Sequence, residues 1–313
     1  MARFLVTGGA GFIGSNIAQR LLAAGHDVRI IDNFATGRRK NIKEFAGQIE
    51  VIEGDICDQK AIAKAMKKID YVLHLAAKPS VIASVEKPRE CHEANVDGTF
   101  NVLMAARDAG VKRLVYSASS SAYGNSVELP NREDYAPRPL SPYAIAKLTG
   151  EYYCKVFSEI YGLECVSLRY FNVFGPKQNP ASQYAAVIPK FITSLLAGEA
   201  PTIFGDGRQT RDFTFVENVY NANLLACTAK GAAGQVFNIA CGTPISVNQL
   251  VAVLNGIIGT KIKAVHAAAR AGEVKHSAAD ITKARKILKF DPAIDLRTGL
   301  ERTVEWYRHS KGA

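Results

Sequence analysis

Residues 8–14 read Gly8-Gly9-Ala10-Gly11-Phe12-Ile13-Gly14 and follow directly on the apolar run Phe4–Thr7. Glycine permits a tight turn after a strand, lets the backbone approach a pyrophosphate, and allows a helix to pack closely on a sheet. Apolar residues then recur at helical spacing at Ile13, Ile17 and Leu21, which predicts an amphipathic helix whose N-terminal N–H groups face the phosphates. A strand, a glycine-rich turn and a helix in this order predict a dinucleotide site.

Strand-like and helical segments alternate along the first half of the chain, which predicts a parallel sheet with helices on both faces. The expected fold class is α/β, a doubly wound parallel sheet of the Rossmann type with a smaller C-terminal substrate-binding α/β portion. Residues 1–172 would form the dinucleotide-binding domain, and residues 173–313 mainly the substrate-binding portion, with later segments returning to the sheet. A long helix is expected from about Tyr143 to Tyr161. The predicted strands are Phe4–Thr7, Val28–Asp32, Ile49–Glu53, Tyr71–Leu75, Leu114–Ser117 and Cys165–Tyr170.

The end of the second predicted strand selects the dinucleotide. Asp32 stands eighteen residues after Gly14, where a carboxylate accepts hydrogen bonds from the adenosine ribose diol and repels a 2′-phosphate. Arg38 and Arg39 argue the other way, since nearby arginines can hold that phosphate. We predict that the cofactor is NAD.

Composition excludes several classes of protein. The chain has 313 residues, 48% of them hydrophobic and 22% charged, as in a globular protein with a sizeable core. The net charge of +10 is dispersed apart from Arg38-Arg39-Lys40, so we expect no nucleic-acid partner, and an anionic substrate also suits a positive field. The six cysteines and six histidines lack metal-ligand spacing, so no metal is expected. Neither a secretory signal nor an apolar run of membrane-spanning length is present, which predicts a cytoplasmic protein without a membrane partner.

Tyr143 and Lys147 are four residues apart, on one face of the predicted long helix. A free phenol has a pKa of about 10 and is a poor base at neutral pH. An ammonium one turn away, together with a positive nicotinamide ring, would stabilise the phenolate and lower that pKa. The pair is therefore a candidate for proton transfer coupled to hydride transfer.

The three-residue glycine spacing and the Tyr143-x-x-x-Lys147 pair resemble the extended short-chain dehydrogenase/reductase family over nearly the whole chain. By that resemblance Ser119, Tyr143 and Lys147 are the catalytic residues, and Asn95 braces the loop and the cofactor. His74 is interpreted as a packed structural histidine. The cofactor-binding residues implied by the resemblance are Gly8, Gly11, Phe12, Ile13, Gly14, Asp32, Asn33, Gly37, Asp55, Ile56, Leu75, Ala76, Ala77, Asn95, Ser117, Tyr143, Lys147, Tyr170 and Val173.

The residues that follow Ser119 narrow the reaction class. Related sugar-nucleotide dehydratases carry an Asp-Glu pair after the catalytic serine or threonine, and related decarboxylases carry a glutamate. This chain has Ser120 and Ser121 there, so the resemblance implies oxidation and re-reduction at one carbon. Ser121 is interpreted as a residue that satisfies its own turn, and the role of Ser120 stays open.

The segment Arg169–Pro176 resembles a signature of UDP-hexose 4-epimerases. That resemblance implies a UDP-sugar substrate, with Arg211 and Arg270 on the diphosphate, Glu273 on the uridine ribose and Ile203 in the segment around the uracil. The substrate-binding residues it implies are Ser80, Ser119, Tyr143, Asn172, Val187, Ile203, Arg211, Arg270, Glu273 and Ser277.

Ser277 bears on which sugar is used. A tyrosine at this position is associated in the family with restriction to glucose and galactose, whereas a small residue leaves room for an N-acetyl group. We therefore expect C4 inversion of UDP-GlcNAc/UDP-GalNAc and UDP-Glc/UDP-Gal. Two alternatives remain open: a UDP-glucuronate 4-epimerase, and a non-catalytic NAD-binding scaffold or sensor.

The resemblance also implies a homodimer. The helices near Asn95–Ala109 and Tyr143–Tyr161 would pair with their copies in a four-helix bundle. Small side chains permit close helix approach, although they equally suit packing inside one chain. The alanines concerned are at positions 105, 106, 144 and 146.

Overall fold

A seven-stranded parallel sheet forms the centre of the computed structural model, which describes residues 1–126, 128–180, 186–269 and 274–310. The strands of the sheet are β1 (Arg3–Thr7), β2 (Asp27–Asp32), β3 (Glu50–Glu53), β4 (Tyr71–His74), β5 (Arg113–Ser119), β6 (Cys165–Tyr170) and β11 (Val236–Ile239). They follow the order β11-β6-β5-β4-β1-β2-β3. All six predicted strands are present, and the doubly wound Rossmann fold is confirmed.

Hydrophobic clusters cover both faces of this sheet. Phe4 and Val6 of β1 belong to one cluster and Leu5 to the other, because successive side chains of a strand point to opposite faces. Each predicted helix forms, and the long one runs over Pro142–Ile160. The helices are α1 (Phe12–Ala23), α2 (Gln59–Ala65), α3 (Val81–Glu86), α4 (Pro88–His92), α5 (Gly98–Asp108), α6 (Pro142–Ile160), α7 (Val187–Leu196), α8 (Val216–Thr228), α9 (Val247–Ile258) and α10 (Leu296–Ser310).

The later part of the chain builds a third hydrophobic cluster, in which α7, α9 and α10 pack together. Short strands border it: β7 (Val173–Phe174), β8 (Thr202–Phe204), β9 (Thr210–Arg211), β10 (Thr214–Phe215), β12 (Ile245–Ser246), β13 (Val265–Ala267) and β14 (His276–Ser277). They form three small sheets, β10 with β7, β12-β9-β14, and β13 with β8. β11 pairs with β6 and α8 packs on α1, so segments beyond residue 172 lie on the large sheet; the exact domain boundary stays a prediction.

Two strand ends differ from their predicted positions, and one difference affects the site. β5 continues to Ser119 rather than ending at Ser117, because Ser119 pairs with Tyr170 of β6. Ser119 is therefore a strand-end residue held by a ladder, and not part of a free turn. β4 ends at His74, one residue earlier than predicted.

Candidate active site

Gly8, in the turn between β1 and α1, and Gly14, in the first turn of α1, are positions that accept only glycine. Gly8 has a φ of +69°, and a Cβ there would lie 2.8 Å from the Cα of Ala76. A Cβ on Gly14 would lie 2.2 Å from the carbonyl oxygen of Gly8. No side chain caps the N-terminus of α1, and its first turn carries no acidic residue. The backbone N–H groups of this helix end are thus suited to a pyrophosphate.

Asp32 closes the other side of this cradle. Its carboxylate accepts hydrogen bonds from the N–H groups of Ala10 (2.9 Å) and Phe34 (2.8 Å). Gly37 packs so closely that a Cβ there would lie 2.6 Å from Asp32 Oδ1. Arg39, which argued for a 2′-phosphate, instead pairs with Glu53 at 2.6 Å. This arrangement fits an unphosphorylated ribose.

The loop after β4 is fixed by buried polar side chains. Asn95, in a π-helical turn (Glu93–Asp97), accepts a hydrogen bond from the N–H of Lys78 (2.8 Å) and donates one to its carbonyl oxygen (3.1 Å). Its bracing of the loop is confirmed, and its contact with a cofactor stays a prediction. The predicted residues Leu75, Ala76 and Ala77 lie in this braced loop, half-buried.

His74 is a structural residue, as predicted. Its Nδ1 lies 2.7 Å from Thr7 Oγ1 and its Nε2 lies 3.0 Å from Thr99 Oγ1. Burial lowers the pKa of its imidazole from 6.5 to about 3. The ring therefore stays neutral inside the folded protein at physiological pH.

This shift predicts an acid-sensitive folded state. As the pH falls below 6.5, the unfolded chain protonates His74 while the folded chain does not, so stability falls, by about 2 kcal/mol at pH 5. His74→Asn removes this contribution. Urea unfolding at pH 7 and pH 5 should show a smaller pH-dependent loss in the variant than in the wild type. An identical loss in both proteins would assign the acid sensitivity to other groups.

The catalytic candidates meet where β5 ends beside the start of α6. The Ser119 side chain lies close enough to the Tyr143 hydroxyl to oppose a rise in the pKa of this phenol. Ser121 donates to Ser119 Oγ from its N–H (3.2 Å), and its Oγ lies 2.9 Å from the same oxygen. Ser121 thus serves the local turn, as predicted, and it also supports Ser119.

The Lys147 side chain is directed to the backbone rather than to the Tyr143 phenol. Burial raises the pKa of the Tyr143 phenol to about 12, and the nearby Ser119 side chain only partly opposes this rise. Lys147 instead donates from Nζ to the carbonyl oxygen of Ser117 at 2.8 Å, and burial lowers its own pKa to about 8. In the chain alone, Lys147 is not among the groups that shift the pKa of this phenol. The predicted lowering, which needs the charge of a nicotinamide ring as well as that of Lys147, stays a prediction.

Several predicted cofactor contacts have side chains engaged inside the protein. Ser117 donates to the Tyr170 hydroxyl at 3.2 Å, and Asn223 of α8 donates to the same hydroxyl at 2.8 Å. Asn33 donates to the Asp55 carboxylate at 2.7 Å. The remaining predicted side chains in this region, Phe12, Ile13, Ile56 and Val173, are buried or half-buried.

The structure describes the predicted substrate residues Asn172, Arg211, Ser277 and Val187 in the later part of the chain. Asn172, which adopts a positive φ of 37°, donates to the carbonyl oxygen of Asp212 at 3.0 Å. Arg211 and Ser277 are neighbours in the paired strands β9 and β14, so the predicted clamp and gate lie side by side. Val187 is half-buried at the start of α7.

Two other predicted substrate residues, Ile203 and Ser80, have side chains engaged inside the protein. The side chain of Ile203 is 1% exposed in the hydrophobic core, so a contact with a uracil would come from its backbone, and that contact stays a prediction. The next residue, Phe204, is half-buried. Ser80 accepts a hydrogen bond from the N–H of Ala83 at 3.0 Å and caps α3. Arg270 and Glu273 lie outside the described residues.

Sequence reasoning missed residues that organise the site. Thr7 Oγ1 accepts from the N–H groups of Leu75 (3.2 Å) and Ala76 (3.1 Å), so it ties β1 to the cofactor loop. Asp212 is fully buried and accepts from the N–H groups of Cys241 and Gly242, both at 3.0 Å. A hydroxyl at the end of β1, before the glycine turn, was a usable signal for Thr7. Nothing local distinguishes Asp212.

The described residues contain neither a candidate metal site nor a membrane-spanning helix. Within these residues, no group of three or more His, Cys, Asp or Glu side chains could hold a metal ion. The helices in the same part of the chain include none that is long and apolar enough to cross a membrane. All six cysteines are unpaired thiols.

Comparison with known proteins identifies the family. The model of the NAD dependent epimerase/dehydratase family matches residues 4–240. The chain belongs to this family. Its cofactor is NAD, in agreement with the glycine cradle and with Asp32.

Individual relatives of this epimerase/dehydratase match along the whole chain. The putative UDP-glucose 4-epimerase of Methanocaldococcus jannaschii is 41% identical over 308 residues and 98% of each chain. The structure of the UDP-N-acetylglucosamine 4-epimerase from Methanobrevibacter ruminantium, in complex with UDP-N-acetylmuramic acid, has a TM-score of 0.94 at 38% identity and covers 99% of each chain. The Thermus thermophilus UDP-glucose 4-epimerase, in complex with NAD, has a TM-score of 0.88 at 33% identity, over 98% of this chain and 99% of that one.

Proposed function

We propose that the chain inverts C4 of UDP-hexoses through a 4-keto intermediate, acting on UDP-GlcNAc/UDP-GalNAc and UDP-Glc/UDP-Gal. The observation that carries the proposal is the placement of Ser119, at the end of β5, beside Tyr143 at the start of α6, close enough to oppose the rise in the pKa of the phenol. No carboxylate of the described residues is among the groups that shift the pKa of this phenol. A dehydration or decarboxylation would need an additional acid or base beside the hydroxyl pair, whereas epimerisation does not.

Each residue of the site has a separate role in this proposal. Ser119 holds the C4 oxygen. Tyr143, as the phenolate that the charges of Lys147 and a bound nicotinamide ring would stabilise, accepts the proton of the C4 hydroxyl and later returns it. NAD supplies the acceptor for the C4 hydride and then its donor. An ammonium has three N–H donors, so Lys147 can hold a ribose hydroxyl while it remains bonded to the carbonyl oxygen of Ser117.

Inversion requires that the same hydride returns to the opposite face of C4. The UDP arm stays held by Arg211 and Arg270 while the sugar turns about its bond to the diphosphate. Arg211 is itself fixed, because its Nη1 donates to the carbonyl oxygens of Thr210 (2.9 Å) and Lys275 (3.2 Å). A rigid clamp beside a mobile sugar suits this reaction.

Ser277 is proposed as the gate for the C2 substituent. Its position beside Arg211 on the paired strand supports this role. Ser277→Tyr is expected to lower kcat/KM for UDP-GlcNAc by about 100-fold while the value for UDP-Glc changes by less than about 3-fold, since the added ring fills only the space of the acetamide. Ser277→Ala, which keeps the side chain small, is the control and should retain both activities. Equal losses on both sugars in the tyrosine variant would count against the gate.

We also propose a homodimer, built on an apolar stripe along α6. Ile145, Tyr152, Val156 and Ile160 of this helix are exposed, and Phe100 of α5 is exposed beside it, as is typical of an association surface. The predicted alanine contacts need correction: those at positions 106, 144 and 146 are buried inside the chain itself. Light scattering should report twice the mass of one chain. The cytoplasmic location stays a prediction.

The reaction is tested by incubating the purified protein with NAD and, separately, UDP-GlcNAc, UDP-Glc and UDP-GlcA, with the products followed by NMR. We expect UDP-GalNAc from the first sugar and UDP-Gal from the second. Conversion of UDP-GlcA alone would transfer the assignment to UDP-glucuronate 4-epimerases. An intact, NAD-loaded protein that converts none of the three would favour a non-catalytic role.

A further inference from the structure

Ser84 is a buried serine on α3 that connects this short helix to the catalytic tyrosine. Its side chain is 2% exposed. Ser84 Oγ accepts a hydrogen bond from the backbone N–H of Tyr143 at 3.1 Å and donates one to the carbonyl oxygen of Val81 at 2.6 Å. One hydroxyl therefore bridges α3 and the first turn of α6.

The bridge is made at the point where α6 cannot satisfy its own backbone. The first N–H groups of a helix have no partner within the helix. Pro142 has no N–H, and Ser141 Oγ accepts from the N–H of Ala144 at 3.1 Å. The N–H of Tyr143 lies between them, and its partner comes from a different element of the fold.

The segment that contains Ser84 is also fixed at its N-terminal end, near the cofactor loop. Lys78 is held through its backbone by Asn95, and Ser80 caps α3. The loop that lines the cofactor cradle and the helix that anchors Tyr143 are thus one continuous stretch, residues 75–86. Its geometry links the position of the cofactor to that of the phenol.

We propose that Ser84 is a positioning residue for Tyr143, which holds the start of α6 so that the phenol stays in register with Ser119 and the cofactor. This inference rests on the proposed epimerase function. The phenol oxygen lies several bonds away from the anchored backbone, so a small tilt of the first helical turn displaces it from Ser119. Misplacement of a reacting group by about 1 Å can cost about 100-fold in rate.

The test compares Ser84→Ala with a matched change on α6, the helix that carries Tyr143. Ser158 also lies on α6, and its Oγ accepts from the N–H of Cys165 at 2.9 Å, but it stands fifteen residues after Tyr143. Ser84→Ala should lower kcat about 10-fold or more while KM changes less than about 2-fold. Ser158→Ala should lower the melting temperature similarly and leave kcat within about 2-fold. Ser84→Thr, which keeps the hydroxyl, should recover at least about a third of the wild-type kcat.

A second readout separates this inference from the proposed function. Without substrate, amide hydrogen exchange in a peptide spanning residues 138–150 should be faster in Ser84→Ala than in the wild type, because the N–H of Tyr143 loses its acceptor. Unchanged amide exchange in Ser84→Ala would overturn the anchoring role of Ser84, whatever the activity of the variant. The role would also be overturned if the loss of kcat in Ser84→Ala were no larger than that in Ser158→Ala. An equal loss of kcat in Ser84→Thr would contradict it as well. If the wild type converts no UDP-hexose, the proposed function fails while the exchange experiment still decides the anchor. Should Ser84→Ala be insoluble, Ser84→Cys replaces it, since a thiol of similar shape is a weak acceptor.

Discussion

Tyr143→Phe is expected to lower kcat for UDP-hexose epimerisation by about 1,000-fold, with folding and NAD binding retained. The substitution removes only the hydroxyl that lies beside Ser119, and a positioned acid–base group contributes about 100- to 10,000-fold. The ring stays in place, so the packing of α6 does not change. Steady-state kinetics with the NAD content of each preparation measure both effects.

Tyr153→Phe provides the matched control for this loss. Tyr153 lies on the same helix and packs against Phe100, with ring centres 5.3 Å apart, but it takes no part in the site. Its variant should keep wild-type kcat. Near-wild-type activity of Tyr143→Phe would remove the proton-transfer role from Tyr143.

Gly14→Ala is expected to weaken NAD binding by at least about 100-fold and to lower the melting temperature by several degrees. The new Cβ would lie 2.2 Å from the carbonyl oxygen of Gly8, a distance at which the helix and the turn cannot both keep their positions. The shift disturbs the N–H groups at the start of α1, which are the expected pyrophosphate donors. Titration of NADH fluorescence and thermal unfolding measure the two effects.

Gly256→Ala tests whether this effect is specific to the turn. Gly256 lies in α9, where an added Cβ has no neighbour within 4 Å. Alanine there should raise stability by about 0.5–1 kcal/mol, because glycine is the poorer helix former. NAD affinity within about 3-fold of wild type in Gly14→Ala would contradict the assigned cradle.

The features that sequence predicted correctly depend on local geometry. The glycine turn, the strand that ends at Asp32 and the one-turn separation of Tyr143 and Lys147 each follow from the periodicity of a strand or helix or from the steric freedom of glycine. These rules act within a few residues, so the printed sequence contains them. The family resemblance then assigned roles to positions that periodicity alone leaves without a function.

The features that sequence could not predict arise from contacts between distant segments. Ser84 meets Tyr143 only because a six-residue helix docks against α6. Lys147 turns to the carbonyl oxygen of Ser117 because the strand end offers a buried acceptor, and a spacing rule cannot choose between that oxygen and a phenol. Ile203 belongs to the segment that resembles the uracil slot, and the next residue, Phe204, is half-buried. The side chain of Ile203 itself is buried by packing in the third hydrophobic cluster.

The central claim is that C4 is inverted by removal and return of one hydride within a single active site. It is tested most directly with UDP-glucose or UDP-GlcNAc deuterated at C4, incubated with the NAD-loaded protein in ordinary water and analysed by NMR. We expect the galacto epimer with deuterium retained at C4, because the hydride never exchanges with solvent. A C4 epimer that has lost its deuterium to water, or the absence of any C4 epimer, would contradict it.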